Sequence, residues 1–206
     1  MPKVHPNADP SEVTMPAVSG DGVAVLTVWR KSLLFNGNGF TVFDAKGNLV
    51  FRVDNYAKGS GGDIVLMDGA GNPLLTFRRK KLSLVECWQI YDGEESAKPR
   101  FSVRKHVSLL HPTSLAHVTP HSCTARSGGG CEVEGSYSER RCVVYDETRR
   151  QLAVIRRKEA ATGGVAIGLD VFRLVVEPGV DVSFAMAVVI LLDQMFGSRS
   201  WMRLLI

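Results

Sequence analysis

The chain has no apolar stretch long enough to cross a bilayer, no cluster of cysteines and no common catalytic motif. Its longest apolar run, Val182 to Leu192, would rise roughly 16 Å as a helix, against about 30 Å for a hydrocarbon core. A membrane-spanning helix is therefore excluded for this run. Cys87, Cys123, Cys131 and Cys142 form neither a CxxC pair nor a dense framework, so free thiols in a reducing compartment are expected. The opening Met-Pro-Lys-Val-His-Pro-Asn-Ala lacks the apolar core of a secretory signal and carries Pro2 where myristoylation requires glycine. The closing Arg203-Leu-Leu-Ile206 is no prenylation box. An intracellular location is expected, cytoplasmic with peripheral association at the plasma membrane or nucleus.

Catalytic signatures are missing as well. There is no Walker A loop, no G-x-S-x-G elbow and no H-E-x-x-H helix, and Gly128 to Gly130 opens no phosphate loop. Aromatic and basic residues do not interleave as on a nucleic-acid platform, so direct nucleic-acid binding is not expected. The chain reads as a non-enzyme without cofactor, and as a monomer.

What is present is β-structure. The 206 residues, 45% of them hydrophobic, suit one domain over 23–206 behind a flexible leader at 1–22. The leader sets Lys3 against Asp9, Glu12 and Asp21, so the body is more basic than the net charge of +4. Phe43-Asp-Ala-Lys-Gly-Asn-Leu49 is echoed by Met67-Asp-Gly-Ala-Gly-Asn-Pro73, and more weakly by Tyr145-Asp-Glu-Thr-Arg-Arg-Gln-Leu152. In such hairpins Asp caps backbone donors and Gly or Asn accepts positive φ. Turn formation therefore accounts for Asp44, Asp68 and Asp146 better than a catalytic carboxylate set does. Strands are expected near 24–32, 39–43, 49–53, 63–67, 74–79, 84–91, 100–105, 115–118, 131–136, 141–145, 152–158 and 165–176. Loops are expected at 92–99, and over 111–130 with its prolines and glycines.

About twelve strands favour a closed antiparallel barrel, because closure removes exposed edges. Such a barrel is too wide for its own side chains to fill, since about eight strands already suffice for a packed interior. From Phe184 to Leu192 every residue is apolar, which at roughly 100° per residue presents apolar groups in all directions. A helix at about 181–196 placed in the lumen meets both requirements.

The segments Trp29-Arg-Lys-Ser-Leu-Leu-Phe-Asn-Gly, Gly47-Asn-Leu-Val-Phe-Arg-Val-Asp-Asn-Tyr56, Ile64-Val-Leu-Met-Asp68 and Leu74-Leu-Thr-Phe-Arg-Arg-Lys-Lys-Leu-Ser83 resemble the plant LURP-one-related family over about 25–196. That family is similar to the tubby C-terminal and phospholipid scramblase superfamily, which implies a twelve-stranded barrel around a central hydrophobic helix. The resemblance further implies phosphoinositide binding, a link to plant defence, or membrane-tethered transcription regulation. Only Asp181 and Asp193 flank the helix, so no calcium site is carried over, and no tubby lipid-site residue finds a match.

Two basic clusters are the candidate site: Arg78, Arg79, Lys80 and Lys81, and Arg156, Arg157 and Lys158. Both end a strand, and at one end of a barrel they would form a basic pocket for anionic lipid, with an unknown protein as further partner. Arg104 and Lys105 read as an exposed strand face. His111, His117, His121 and Cys123 fit no common zinc spacing, so no metal is expected. Trp29 and Trp88 read as packing residues within strands. A carrier of a small apolar ligand is the alternative, since such a molecule would need space beside the helix.

Overall fold

A computed structural model describes residues 22–31, 39–55, 63–106, 113–121, 129–158 and 168–197. Twelve strands follow one another: β1 (Ala24–Trp29), β2 (Gly39–Phe43), β3 (Leu49–Asn55), β4 (Ile64–Asp68), β5 (Pro73–Arg79) and β6 (Cys87–Asp92). The second half comprises β7 (Phe101–Lys105), β8 (Ser114–Pro120), β9 (Cys131–Ser136), β10 (Arg141–Asp146), β11 (Gln151–Arg157) and β12 (Val171–Val176), then the helix α1 (Val182–Phe196). Each strand pairs antiparallel with its sequence neighbours, and β1 pairs with β12 from Ala24↔Val176 to Trp29↔Val171, which closes the barrel.

Period-two alternation sends one face of every strand inward. Leu26 and Val28, Leu75 and Phe77, and Phe172 and Leu174 all join one buried cluster with α1. Met186 to Leu191 are no more than 1% exposed on every side of the helix, so α1 fills the lumen rather than lying on a face. The ring of Phe184 meets Phe101 edge-on at 5.2 Å. Asp181 caps the N-terminus by accepting from the Ser183 N–H at 2.9 Å. Lys105 Nζ donates to the Met195 carbonyl at 3.1 Å, which satisfies a helix-end acceptor and complements the negative end of the dipole. Lys105 is therefore committed to the helix; Arg104 alone is the exposed residue expected at that strand end.

The three related hairpins share one construction. The Asp44, Asp68 and Asp146 N–H groups each donate to the carbonyl four residues on, at 3.0 Å in every case. The Asp carboxylates accept backbone donors: Asn48 N–H at 2.8 Å, Asn72 N–H at 2.8 Å and Arg150 N–H at 2.9 Å. The carboxyls of Asp44 and Asp146 lie below the ordinary value, chiefly because the Asn48 side-chain amide donates to Asp44 and the Thr148 hydroxyl to Asp146, with the backbone donors adding to it. The positive-φ position is Gly47 at +87°, Gly71 at +99° and Arg149 at +66°. Arg149 holds this disfavoured conformation with a bidentate pair to Glu134 at 2.7 and 3.0 Å.

Three expectations need correcting. Residues 84–86 precede β6 instead of belonging to it, because Leu84 and Val85 turn outward to solvent. The strand expected near 115–118 is present as β8 but is longer than expected, running from Ser114 to Pro120 and so shortening the loop expected over 111–130. Trp88 is buried in the core, but Trp29 is 40% exposed, since it follows the inward Val28 in the alternation. The final strand starts at Val171, and the expected residues 165–167 lie outside the described ones, as does the leader up to residue 21.

Two substitutions test this architecture. Leu191→Asp places an unpaired charge in the filled lumen and should leave no soluble folded protein, read by soluble yield and circular dichroism. Gly135 sits at φ +119° in β9, where a Cβ would overlap the Arg141 carbonyl oxygen. Gly135→Ala should therefore cost about 2–4 kcal/mol in urea denaturation.

Candidate functional site

Antiparallel order fixes two ends of the barrel. Strands β1, β3, β5, β7, β9 and β11 run from the lower end, where α1 begins, to the upper end, where it finishes. All three hairpin turns lie below. Among residues whose side chains are described, the upper end collects Arg30, Lys31, Arg78 to Lys81, Arg104, Lys105, Arg140, Arg141, Arg156 to Lys158 and Arg173. The carboxylates there are Asp63, Glu86, Glu139, Asp170 and Asp193. The lower end reverses the balance, with Asp44, Asp68, Asp92, Glu94, Glu95, Glu132, Asp146, Glu147, Glu177 and Asp181 against Lys46, Lys98, Arg100, Arg149 and Arg150.

Strand register builds the most unusual part of the basic end. Arg141 lies opposite Arg156, and Arg156 opposite Arg173. Their neighbours Cys142, Ile155 and Phe172 point into the core, so these three arginines share the outer face. Directly paired residues on one face stand about 5 Å apart, and like charges so placed repel. All three are exposed, and none makes an ion pair among the described residues. Of the row, only Arg156 is marked out by the sequence. Arg141 follows Arg140 at the start of β10 and Arg173 is the one basic residue of β12, and only the register aligns them with Arg156.

The two predicted clusters lie at the same end but do not form one pocket. β5 and β11 are diametrically opposite in the closed order of twelve strands. Within the first cluster, Arg78 is held by Asp63 at 3.1 Å, the Glu94 carbonyl at 3.1 Å and the Tyr91 ring at 4.5 Å. Arg79 approaches Glu86 at 3.9 Å, while Lys80 and Lys81 make no ion pair among the described residues. In the second, Arg157 pairs with Glu139, and Arg156 and Lys158 make no ion pair among the described residues. A depression of about 300 Å³ lined by Asp63, Val65, Thr76, Arg78 and Glu94 lies on the outside of the wall, not beside α1.

Residues 24–193 match the family model described as LURP-one-related. The chain belongs to the LURP-one-related family. It is 50% identical over 201 residues to LURP-one-related 8 of Arabidopsis thaliana, covering 96% of this chain and 100% of that one. LURP-one-related 17 of the same plant is 40% identical over 205 residues, covering 93% and 92%. A crystal structure of an Arabidopsis thaliana protein shares the fold at a TM-score of 0.61 and 26% identity, covering 85% of this chain and 93% of that one.

In this LURP-one-related barrel the upper end of the lumen is closed by a polar plug. Asp193, on α1, accepts from Arg30 Nε at 2.8 Å and from the Tyr137 hydroxyl at 3.1 Å. Arg140 stacks on the rings of Tyr137 at 4.2 Å and Phe172 at 4.5 Å, and its Nε donates to the Leu169 carbonyl at 2.8 Å. Asp181 at the other helix end accepts from Arg100 at 2.9 Å, so both aspartates flanking the helix are occupied. His117 lies on β8 and His121 follows it, whereas His111 and Cys123 lie outside the described residues. No group of three or more metal-ligating side chains assembles among the described residues. Cys87, Cys131 and Cys142 are free, and burial pushes the Cys131 and Cys142 thiols up to about 11 and about 12, which removes thiolate reactivity. No helix of the described residues is long and apolar enough to cross a membrane.

The plug has a pH signature. Burial raises the Asp193 carboxyl above its ordinary 3.8, against the opposing pull of Arg30 and Tyr137. A carboxyl raised in the folded state contributes stability that is complete below its unfolded pKa and is lost as pH climbs through the folded value. Wild type should therefore lose stability relative to Asp193→Asn as pH rises through a window starting near 3.8 and extending above it. Urea titrations at stepped pH measure the difference, and a flat difference would contradict the assignment.

Proposed function

We propose that this chain is a non-catalytic adaptor that docks on anionic phospholipid, phosphoinositides in particular, through the upper end of its barrel. The arginine row of Arg141, Arg156 and Arg173 carries the reading. Aligning three like charges on neighbouring strands is destabilising, a cost without return to the fold. Phosphate oxygens offset it well, because the planar guanidinium fork binds them in bidentate fashion. Arg79, Lys80, Lys81, Arg157 and Lys158 extend the positive end, and Arg78 contributes its charge from a fixed position. The acidic lower end favours one orientation of approach, since it is repelled by the same surface. A place in plant defence belongs to the same proposal and rests on family membership.

The reading separates stability from binding. The triple variant Arg141→Gln, Arg156→Gln, Arg173→Gln should melt no lower than wild type, because it relieves repulsion. At about 1 kcal/mol per cation near an anionic surface, its affinity for phosphoinositide-containing vesicles should fall on the order of 100-fold. Co-sedimentation over a salt series reads both the loss and the screening expected of the wild type. Equal binding by the variant would remove the row from the function.

A further inference from the structure

The loop between β5 and β6, residues 80–86, carries apolar side chains that the fold does not use. Leu82 is 95% exposed and Leu84 108%, with Val85 at 38%. Side chains that free project outward from the turn, and they take no part in the buried cluster that gathers the inward residues of the wall. Their placement is not random along the barrel axis. Trp29 and Leu169 are exposed at the same upper end, and among the described residues only Val23 and Val25 are large exposed hydrophobics elsewhere. Lys80 and Lys81 directly precede the leucines, and the carboxylate that follows them, Glu86, faces Arg79 and the Trp88 indole N–H.

Protruding leucines beside lysines match the layering of an anionic membrane surface. Aliphatic groups gain by entering the acyl boundary, about 5–10 Å deep, while long lysine stems keep their ammonium groups at phosphate level. The position of the loop adds an orientation. β5 lies diametrically opposite β11, the middle strand of the arginine row. A flat surface touches both walls only when the barrel stands with its upper end toward it.

We propose that residues 80–86 form a membrane-insertion element: Leu82 and Leu84 enter the acyl boundary of an anionic bilayer while Lys80 and Lys81 hold its phosphates, and the barrel stands upright with the C-terminal end of α1 facing the membrane. This inference rests on the docking reading above, and adds penetration and orientation to it.

The full chain is tested on phosphatidylcholine films and vesicles containing phosphatidylserine and phosphoinositide. Wild type should raise the surface pressure of the film. The variant Leu82→Ser, Leu84→Ser keeps every charge; it should raise no pressure and bind vesicles at least about tenfold more weakly. Its melting temperature should match wild type, because both positions are exposed. Vesicle binding by wild type without a pressure rise would overturn insertion and leave docking standing, assigning the leucines to a protein partner. Equal vesicle binding by wild type and variant would do the same. Wild type that ignores anionic vesicles altogether would overturn both readings.

Discussion

A closed wall of twelve strands encloses more volume than its inward side chains can fill, and α1 supplies what is missing. The helix is apolar on all sides because it is surrounded on all sides, and its burial sets the rest of the molecule. The strands must close, since an open edge would leave part of α1 wet. Both helix ends must be satisfied within the barrel mouths: Asp181 with Arg100 below, Lys105 at the Met195 carbonyl above. The polar plug around Asp193 follows from the same demand, because a charge on a helix that fills the lumen must find its partners at the mouth. Arg30 and Tyr137 are those partners.

With the lumen occupied, chemistry is confined to the outer wall and the two ends. The three Asp hairpins make the lower end acidic and conformationally saturated, because their carboxylates are consumed by backbone donors. The upper end has the opposite character. Among the described residues its cations outnumber the carboxylates, and the arginine row of β10 to β12 makes no ion pair with them. Such an arrangement does nothing for the fold; repulsion between neighbours on one face weakens it. A surface that gives up stability in this way is explained best by something outside the chain that gains from it.

The strand positions, the turn chemistry and the burial of α1 are legible in the sequence because each rests on local pattern. Alternation with period two marks Leu49, Phe51 and Val53, and the Asp and Gly spacing marks the hairpins. An apolar run too short for a bilayer marks the lumen helix. The errors fall where local pattern is ambiguous. Leu84 and Val85 have the composition of a strand but sit in a turn, and Trp29 has strand character but falls on the outward parity.

The candidate site was legible only in outline. Both basic clusters can be read directly, and their strand-end placement puts them at one end of the barrel. Register and closure determine the rest, and these are properties of pairs of strands distant in sequence. The chain by itself determined which residues alternate, where it turns and what fills the centre, since those follow from propensity and hydrophobic burial within a few residues. Only the tertiary structure decided that Arg141, Arg156 and Arg173 stand side by side, that the two clusters face away from each other on opposite walls, and that Leu82 and Leu84 project beside the lysines. The reason is that cross-strand hydrogen bonding and closure of the barrel, not local sequence, set the distance between side chains on different strands.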